Sequence, residues 1–460
     1  MTDTQDRPLR VAVVGSGPSG FYAAEHLQKK HPGVEVDMFD RLPTPYGLVR
    51  GGVAPDHPKI KSVTRVYDRI AAQPGFRFLG NVNVGHDISH AELHAHYDAV
   101  VYTVGAQTDR ALGIPGEGLG GSHAATEFVG WYNGHPDFRD FAPDLSVEAA
   151  AVIGVGNVAM DVARILASRT ADLAATDLAG HALDTLDAGR VRTIYVLGRR
   201  GPVQAAFTNP ELREFGELPD ADVVVDPRDL ELDPLSAAEL AAAEDRTAEK
   251  NLATLREYAA RPLQGRPRRI VLRFLTSPVE ILGTGRVEGI RVVRNALVDD
   301  GKGGIRAVAT GETEVLPVGL VFRSVGYKGV AVPGLPFDER AGTIPNAAGR
   351  VLAAPGAAET LPGVYVAGWI KRGPSGVIGT NKPCAVESAE QLLADHAAGR
   401  LPAPTGDQAA LDRLLAGRGV RVVSFADWQA LDRLEVERGK AAGRPRLKFT
   451  RIDEMLEALK

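Results

Sequence analysis

Two glycine-rich turns of the same design, about 140 residues apart, constrain this chain more than any other feature. The first, Gly15-Ser16-Gly17-Pro18-Ser19-Gly20, follows the apolar run Val11-Ala12-Val13-Val14. The second, Gly154-Val155-Gly156-Asn157-Val158-Ala159, follows Ala149-Ala150-Ala151-Val152-Ile153. In this pattern the first glycine permits a tight turn off a strand and the second lets a pyrophosphate approach the backbone. The third small residue lets the following helix pack on the strand. Each helix N-terminus then faces phosphate. A single match of this kind is a weak signal, so the residues around each turn have to decide.

After Gly20, residues 21–30 read as helix and residues 34–39 as a second strand that ends at Asp40. An acid about 20 residues beyond the last glycine is placed to accept hydrogen bonds from an adenosine ribose. The second turn leads through a helix over 158–167 and a polar insertion to the strand Thr193-Ile194-Tyr195-Val196-Leu197. That strand ends in Gly198-Arg199-Arg200-Gly201, with no acid. A ribose hydroxyl favours a carboxylate, whereas a 2′-phosphate favours guanidinium groups that can bind it through two bonds at once. The plainer alternative is a solvated basic turn. Asp40 would repel a 2′-phosphate, so the first unit suits FAD and the second NADPH. A flavin beside a nicotinamide implies hydride transfer.

At 460 residues the chain can build two or three domains. Its hydrophobic share of 44% and charged share of 24% are those of a globular protein. No apolar run approaches a bilayer span and the opening residues are polar, so we expect a cytoplasmic chain with no membrane contact and no nucleic-acid partner. The net charge of −5 says nothing of local patches. The single cysteine, Cys384, cannot form an intramolecular disulfide or supply iron–sulfur ligands, so no metal is expected and electrons must leave the flavin directly.

The buried-strand pattern of residues 99–106 is repeated at 319–327, which reads as a second domain inserted into the first. The expected fold is α/β, with two Rossmann-like dinucleotide-binding domains in a glutathione reductase-like arrangement. Residues 1–107 and 325–460 form the FAD domain, with a helical appendage from about 405, and 108–324 form the inserted NADP domain. Residues 236–260 read as one helix, ahead of a basic turn at 261–269.

The run Leu42-Pro43-Thr44-Pro45-Tyr46-Gly47-Leu48-Val49-Arg50-Gly51-Gly52-Val53-Ala54-Pro55-Asp56-His57 resembles the adrenodoxin reductase-like family of ferredoxin–NADP reductases, and most closely its bacterial, mycobacterial-type NADPH-ferredoxin reductases. The likeness extends through Phe274-Leu275-Thr276-Ser277-Pro278 and Gly368-Trp369-Ile370-Lys371-Arg372-Gly373-Pro374-Ser375-Gly376-Val377-Ile378 over essentially the whole chain. It implies a hydride passing from NADPH to non-covalent FAD, then single electrons to a small acidic iron–sulfur ferredoxin, and it favours a monomer. On this resemblance Gly47 and Leu48 run along the flavin, Trp369 stands in the late motif, and Gly376, Val377 and Ile378 at a helix start face its pyrimidine edge. The cofactor contacts also include Pro18, Val84 and Arg110. His57 and Glu214 flank the reacting rings and could manage the flavin proton, though His57 reads equally well as a structural hydrogen-bonder. Glu211 belongs at the adenosine end of NADPH, near Arg199 and Arg200.

A reductase of quinones and other small oxidants is the alternative enzyme, and a nucleotide-binding redox sensor the non-enzymatic one. Basic surface for an acidic carrier is expected at Arg261, Arg266, Arg268 and Arg269, or at Lys371 and Arg372.

Overall fold

The computed structural model describes residues 7–460. They divide into two compact units: one of residues up to Val53, His57–Thr108 and Tyr327–Lys460, the other of Ala54–Asp56 and Asp109–Gly326.

The first unit is built on a seven-stranded sheet ordered Asn346–Ala347, Arg350–Leu352, Thr360–Val366, Ala99–Tyr102, Arg10–Val14, Glu35–Phe39, Phe76–Leu79. The last five run parallel. Their central members read as continuous apolar runs because both faces are covered by packed structure. Arg10–Val14 is buried at every position. Helix Pro18–Lys30 buries Phe21, Ala23, Ala24 and Leu27 and packs against helix Asn381–Ala397. The C-terminal helices Gln408–Gly417 and Phe425–Ala441 pack on helix His90–His96 and strand Phe76–Leu79 of this unit.

The second unit holds a six-stranded, all-parallel sheet ordered Ser122–Ala124, Leu320–Arg323, Ala149–Ile153, Thr193–Leu197, Arg268–Arg273, Ala221–Val225. A three-stranded antiparallel sheet of Thr276–Leu282, Gly289–Asp299 and Ile305–Leu316 accompanies it.

The expected helix over 236–260 is two helices, Pro234–Ala242 and Thr247–Ala260. The break occurs where the Asp245 carboxylate accepts from Thr247 N at 2.9 Å, a local turn that competes with the helix. The polar insertion before strand Thr193–Leu197 folds into helices Thr170–Ala174 and Gly180–Asp187. Among the described residues, no helix is long and apolar enough to cross a membrane.

Candidate functional site: two dinucleotide turns

The two glycine turns have the same construction, each at the carboxyl end of a strand whose neighbours lead off in opposite directions through the sheet, where open α/β sheets bind ligands. Gly15 N donates to Phe39 O at 2.8 Å, and Gly154 N donates to Leu197 O at 2.9 Å. On the other side, a side-chain carbon at Gly15 would lie 2.7 Å from Thr103 O, and one at Gly154 would lie 2.2 Å from Ser324 O. Both glycines have positive φ, 107° and 132°, which together with this crowding leaves room only for glycine. At the third position a carbon on Gly20 would strike Gly15 O at 2.2 Å, while the second unit accommodates the buried Ala159. The middle glycines differ: a carbon on Gly17 or Gly156 would meet no atom within 4 Å. The helices that follow, Pro18–Lys30 and Asn157–Ala167, have those glycines as N-caps and no side-chain cap, which leaves their first N–H groups for a ligand. Open space and free donors together are what a pyrophosphate requires. Pro18 opens the first helix, and Val158, half-buried, lies in the first turn of the second.

In the first unit the half-buried Asp40 accepts from Ser16 N at 3.1 Å, from the Ser16 hydroxyl, and from Leu42 N at 2.9 Å. Burial pushes its carboxyl above the ordinary value, against the pull of those hydrogen bonds. Tyr46 is held in the left-handed region at φ 85° by its N–H to Ser16 O at 3.0 Å. A carbon on Gly47 would come within 3.0 Å of Gly17 Cα, so this loop and the glycine turn form one surface, from which Leu48 starts a short helix. Val84 lies in an irregular loop joined to the strand end through Val82 N to Asp40 O at 2.9 Å. Gly368, buried at φ 79°, caps the short helix Trp369–Arg372, and the Trp369 indole donates to Ser375 O at 3.2 Å. Gly376 and Val377 are exposed ahead of the turn Ile378–Thr380 that leads into helix Asn381–Ala397. An open cleft of about 560 Å³ is lined there by residues including Ser375, Gly376 and Thr380. His57, half-buried, is the N-cap of the short helix Pro58–Lys61.

In the second unit Asn157 reaches two ways, accepting from Thr208 N at 2.8 Å and donating to Glu211 at 3.3 Å. Glu211 also accepts from the Thr208 hydroxyl, so among the described residues it is held at the helix N-terminus by Asn157 and Thr208 rather than by Arg199 or Arg200. Arg199 is exposed and Arg200 half-buried, and neither forms an ion pair among the described residues. Glu214 lies 2.9 Å from Arg164, a buried arginine that also binds Asp56 at 2.6 Å and Asp161 at 2.8 Å. Burial works against the Arg164 charge, but the three acids more than offset it and its pKa lies above the ordinary value. Arg110, exposed, donates its backbone N–H to Gly326 O at 3.0 Å. Arg164 was not singled out from sequence; an arginine inside a helix carries no local mark of the three carboxylates that gather around it.

The basic clusters are only partly exposed. Arg266 is turned inward to Ala221 O at 3.0 Å, and Arg269 donates to the Thr193 hydroxyl at 3.0 Å. Arg268 is half-buried, and burial together with the nearby Arg192 charge pushes its pKa down. These residues lie at the amino ends of their strands, whereas Gly154 and Arg199–Arg200 lie at the carboxyl ends. Lys371 is only 7% exposed and pairs with Glu387 at 2.5 Å; Arg372 binds Ser375 and Asn381. Lys371, Arg372 and Arg266 are committed to local partners, whereas Arg261 and Arg269 remain exposed.

Two dinucleotide turns in one chain, one beside an acid and one beside an arginine pair, define a flavin- and nicotinamide-dependent oxidoreductase. A family model described as pyridine nucleotide-disulphide oxidoreductase matches residues 9–196. The chain is 50% identical to NADPH-ferredoxin reductase FprA of Mycobacterium tuberculosis over 98% of its own length and 99% of that protein's. It is 45% identical to the mitochondrial NADPH:adrenodoxin oxidoreductase of Homo sapiens, over 99% and 93%. The solved structure of M. tuberculosis FprA in complex with NADPH superposes with a TM-score of 0.93 at 48% identity, covering 98% of this chain and 100% of that one. The chain belongs to the family of NADPH-ferredoxin and adrenodoxin reductases.

Proposed function

We propose that this chain is an NADPH-dependent reductase of a small acidic ferredoxin, with FAD on the unit around strand Arg10–Val14 and NADPH on the unit around Ala149–Ile153. One observation carries the assignment of cofactors to units: the strand one over from each glycine turn is followed directly by an acid in one unit, Asp40 after Phe39, and by Gly198 and then the arginine pair Arg199 and Arg200 in the other. A 2′-phosphate is attracted to the second and repelled by the first.

Bound FAD supplies the conversion of a two-electron hydride into single electrons. The chain's own groups bind and orient. Gly17 and Gly156 leave room for the two pyrophosphates, and the uncapped helices Pro18–Lys30 and Asn157–Ala167 point their N–H groups at them. Asp40 holds a ribose, and Gly47, Leu48, Val84, Trp369 and the backbone of Gly376, Val377 and Ile378 line the flavin. Asn157, Glu211 and Arg110 contribute to NADPH binding. Arg164 holds Glu214 in place, and Glu214 and His57 handle protons in the reaction.

The ferredoxin partner is supported by the relatives' names. One of them, the probable ferredoxin/ferredoxin–NADP reductase of Mycobacterium bovis, extends beyond the match, since this chain covers 76% of it at 49% identity. In this reading the chain works in the cytoplasm as a monomer, with surface left for the carrier. The test is NADPH oxidation coupled to a one-electron dye, with and without a cognate ferredoxin. Turnover should rise several-fold with ferredoxin and fall as salt rises through about 0.01–0.5 M, while reduction of a neutral quinone changes little. Turnover indifferent to ferredoxin would point to a small-molecule reductase instead.

A further inference from the structure

The segment Phe274-Leu275-Thr276-Ser277-Pro278 is hydrogen-bonded to the basic turn at Gly198 and Arg200. Thr276 N donates to Gly198 O at 2.8 Å, and Leu275 N donates to Arg200 O at 2.9 Å. The remaining carbonyl, that of Arg199, accepts from Asn295 Nδ2 at 2.7 Å. Asn295 comes from a different strand, Gly289–Asp299, at the shift in its pairing with Ile305–Leu316, and it is 4% exposed. Its amide also donates to the Ser277 hydroxyl at 2.7 Å, and its backbone N–H donates to Leu275 O at 2.7 Å.

The support is itself anchored. Leu275 has φ 51°, a left-handed conformation that a leucine keeps only where its surroundings enforce it. The enforcing contacts are the two bonds through Leu275 N–H and C=O, and the adjacent Phe274 N–H to Asp229 at 2.9 Å. Asp229, 1% exposed, is in turn paired with Arg294 at 2.8 Å, the residue next to Asn295. The three carbonyls of 198–200 are thus all held from the protein side, while among the described residues Arg199 and Arg200 have no acid partner.

We propose that Asn295 is a positioning residue for nucleotide specificity: through the Arg199 carbonyl it fixes the basic turn, so that the arginine pair is pre-organised for the 2′-phosphate of NADPH. The inference rests on the assignment of that turn to NADPH. A long, flexible cation pair on a loose turn gives up part of its binding free energy to ordering, and a fixed turn avoids that loss. Only an amide suits the position, because both Nδ2 hydrogens are used, one on a carbonyl and one on a hydroxyl. Asn295→Asp would keep the shape, remove both donors and set a carboxylate against a carbonyl oxygen.

The test compares Asn295→Ala, Asn295→Asp and Ser277→Ala with Arg199→Ala/Arg200→Ala in the flavin-loaded protein. Binding of 2′,5′-ADP and 5′-ADP is measured by calorimetry, and kcat/KM with NADPH and NADH by kinetics. For Asn295→Ala we expect affinity for 2′,5′-ADP and kcat/KM for NADPH to fall about tenfold, the weight of one hydrogen bond to a fixed group, with 5′-ADP and NADH within about twofold. Ser277→Ala, which only frees the second hydrogen, should shift the same ratio by a smaller factor and guards against a misfolded Asn295 variant. Equal losses for both nucleotides, or an unchanged ratio in folded variants, overturns the proposal. If the arginine variant loses NADPH preference while the Asn295 and Ser277 variants keep it, the proposal alone fails. If the arginine variant keeps its preference, the assignment of the turn to the 2′-phosphate fails and Asn295 with it.

Discussion

A side chain at Gly17 would enter open space, and one at Gly20 would strike a carbonyl 2.2 Å away, so two glycines of one turn predict opposite failures. Gly17→Val should fold, because φ there is −78° and no protein atom is in the way. The protein should nonetheless purify colourless, because the valine takes the pyrophosphate's place. Gly20→Val should instead fail as a fold, with loss of soluble protein or a large drop in Tm. Visible absorbance and thermal melting of the two variants together make the comparison, and a yellow Gly17→Val protein would contradict the flavin assignment. In the second unit, Arg199→Ala with Arg200→Ala removes charge-assisted bonds worth about 1.5–3 kcal/mol each. NADPH affinity should fall by about a hundredfold or more while NADH affinity changes little, as measured by titration. At this scale the sequence was informative about glycines and strand-end charges, because both act through spacing along a single strand–turn–helix. It was silent on Asp40's bonds to Ser16, on Arg164 and on Asn295, whose partners arrive from distant segments.

The elements that carry apolar runs, such as Arg10–Val14, Ala149–Ile153 and Thr193–Leu197, were legible because a strand buried on both faces has a near-continuous apolar sequence. The break between Pro234–Ala242 and Thr247–Ala260 was not, since composition favours helix throughout and a single Asp245 side chain decides. The C-terminal appendage was visible as helices, but not what it grips. Helix Phe425–Ala441 carries Glu435, fully buried, which pairs with Arg50 of the flavin loop and accepts from Phe449 N at 2.9 Å. From the same helix the Trp428 indole donates to the Tyr46 hydroxyl at 3.1 Å, and its ring lies 5.0 Å from the Arg50 guanidinium. Glu435→Ala leaves a largely buried guanidinium without its carboxylate, a loss of about 3–5 kcal/mol. We expect a lower midpoint in chemical denaturation and faster release of FAD, followed by fluorescence. Unchanged FAD release in a destabilised protein would confine Glu435 to folding.

For the molecule as a whole, a strand–turn–helix unit repeated with opposite charges at its strand ends implies two different nucleotides held by one chain, and the relatives at 45–50% identity align over 98–99% of it. What the whole chain conceals from a linear reading is which of its cations remain available. Arg266, Arg268 and Lys371 look like surface charge in sequence and are drawn into packing and ion pairs in the fold, while Arg261 and Arg269 stay exposed. The assignment of FAD and NADPH to the two units is tested most directly by anaerobic rapid mixing of the purified yellow protein with NADPH or with NADH, following the flavin's visible absorbance. NADPH should bleach the flavin in a fast phase, and NADH should need about a hundredfold higher concentration to match it. A flavin that stays oxidised with NADPH, or that responds to both nucleotides alike, would contradict that assignment.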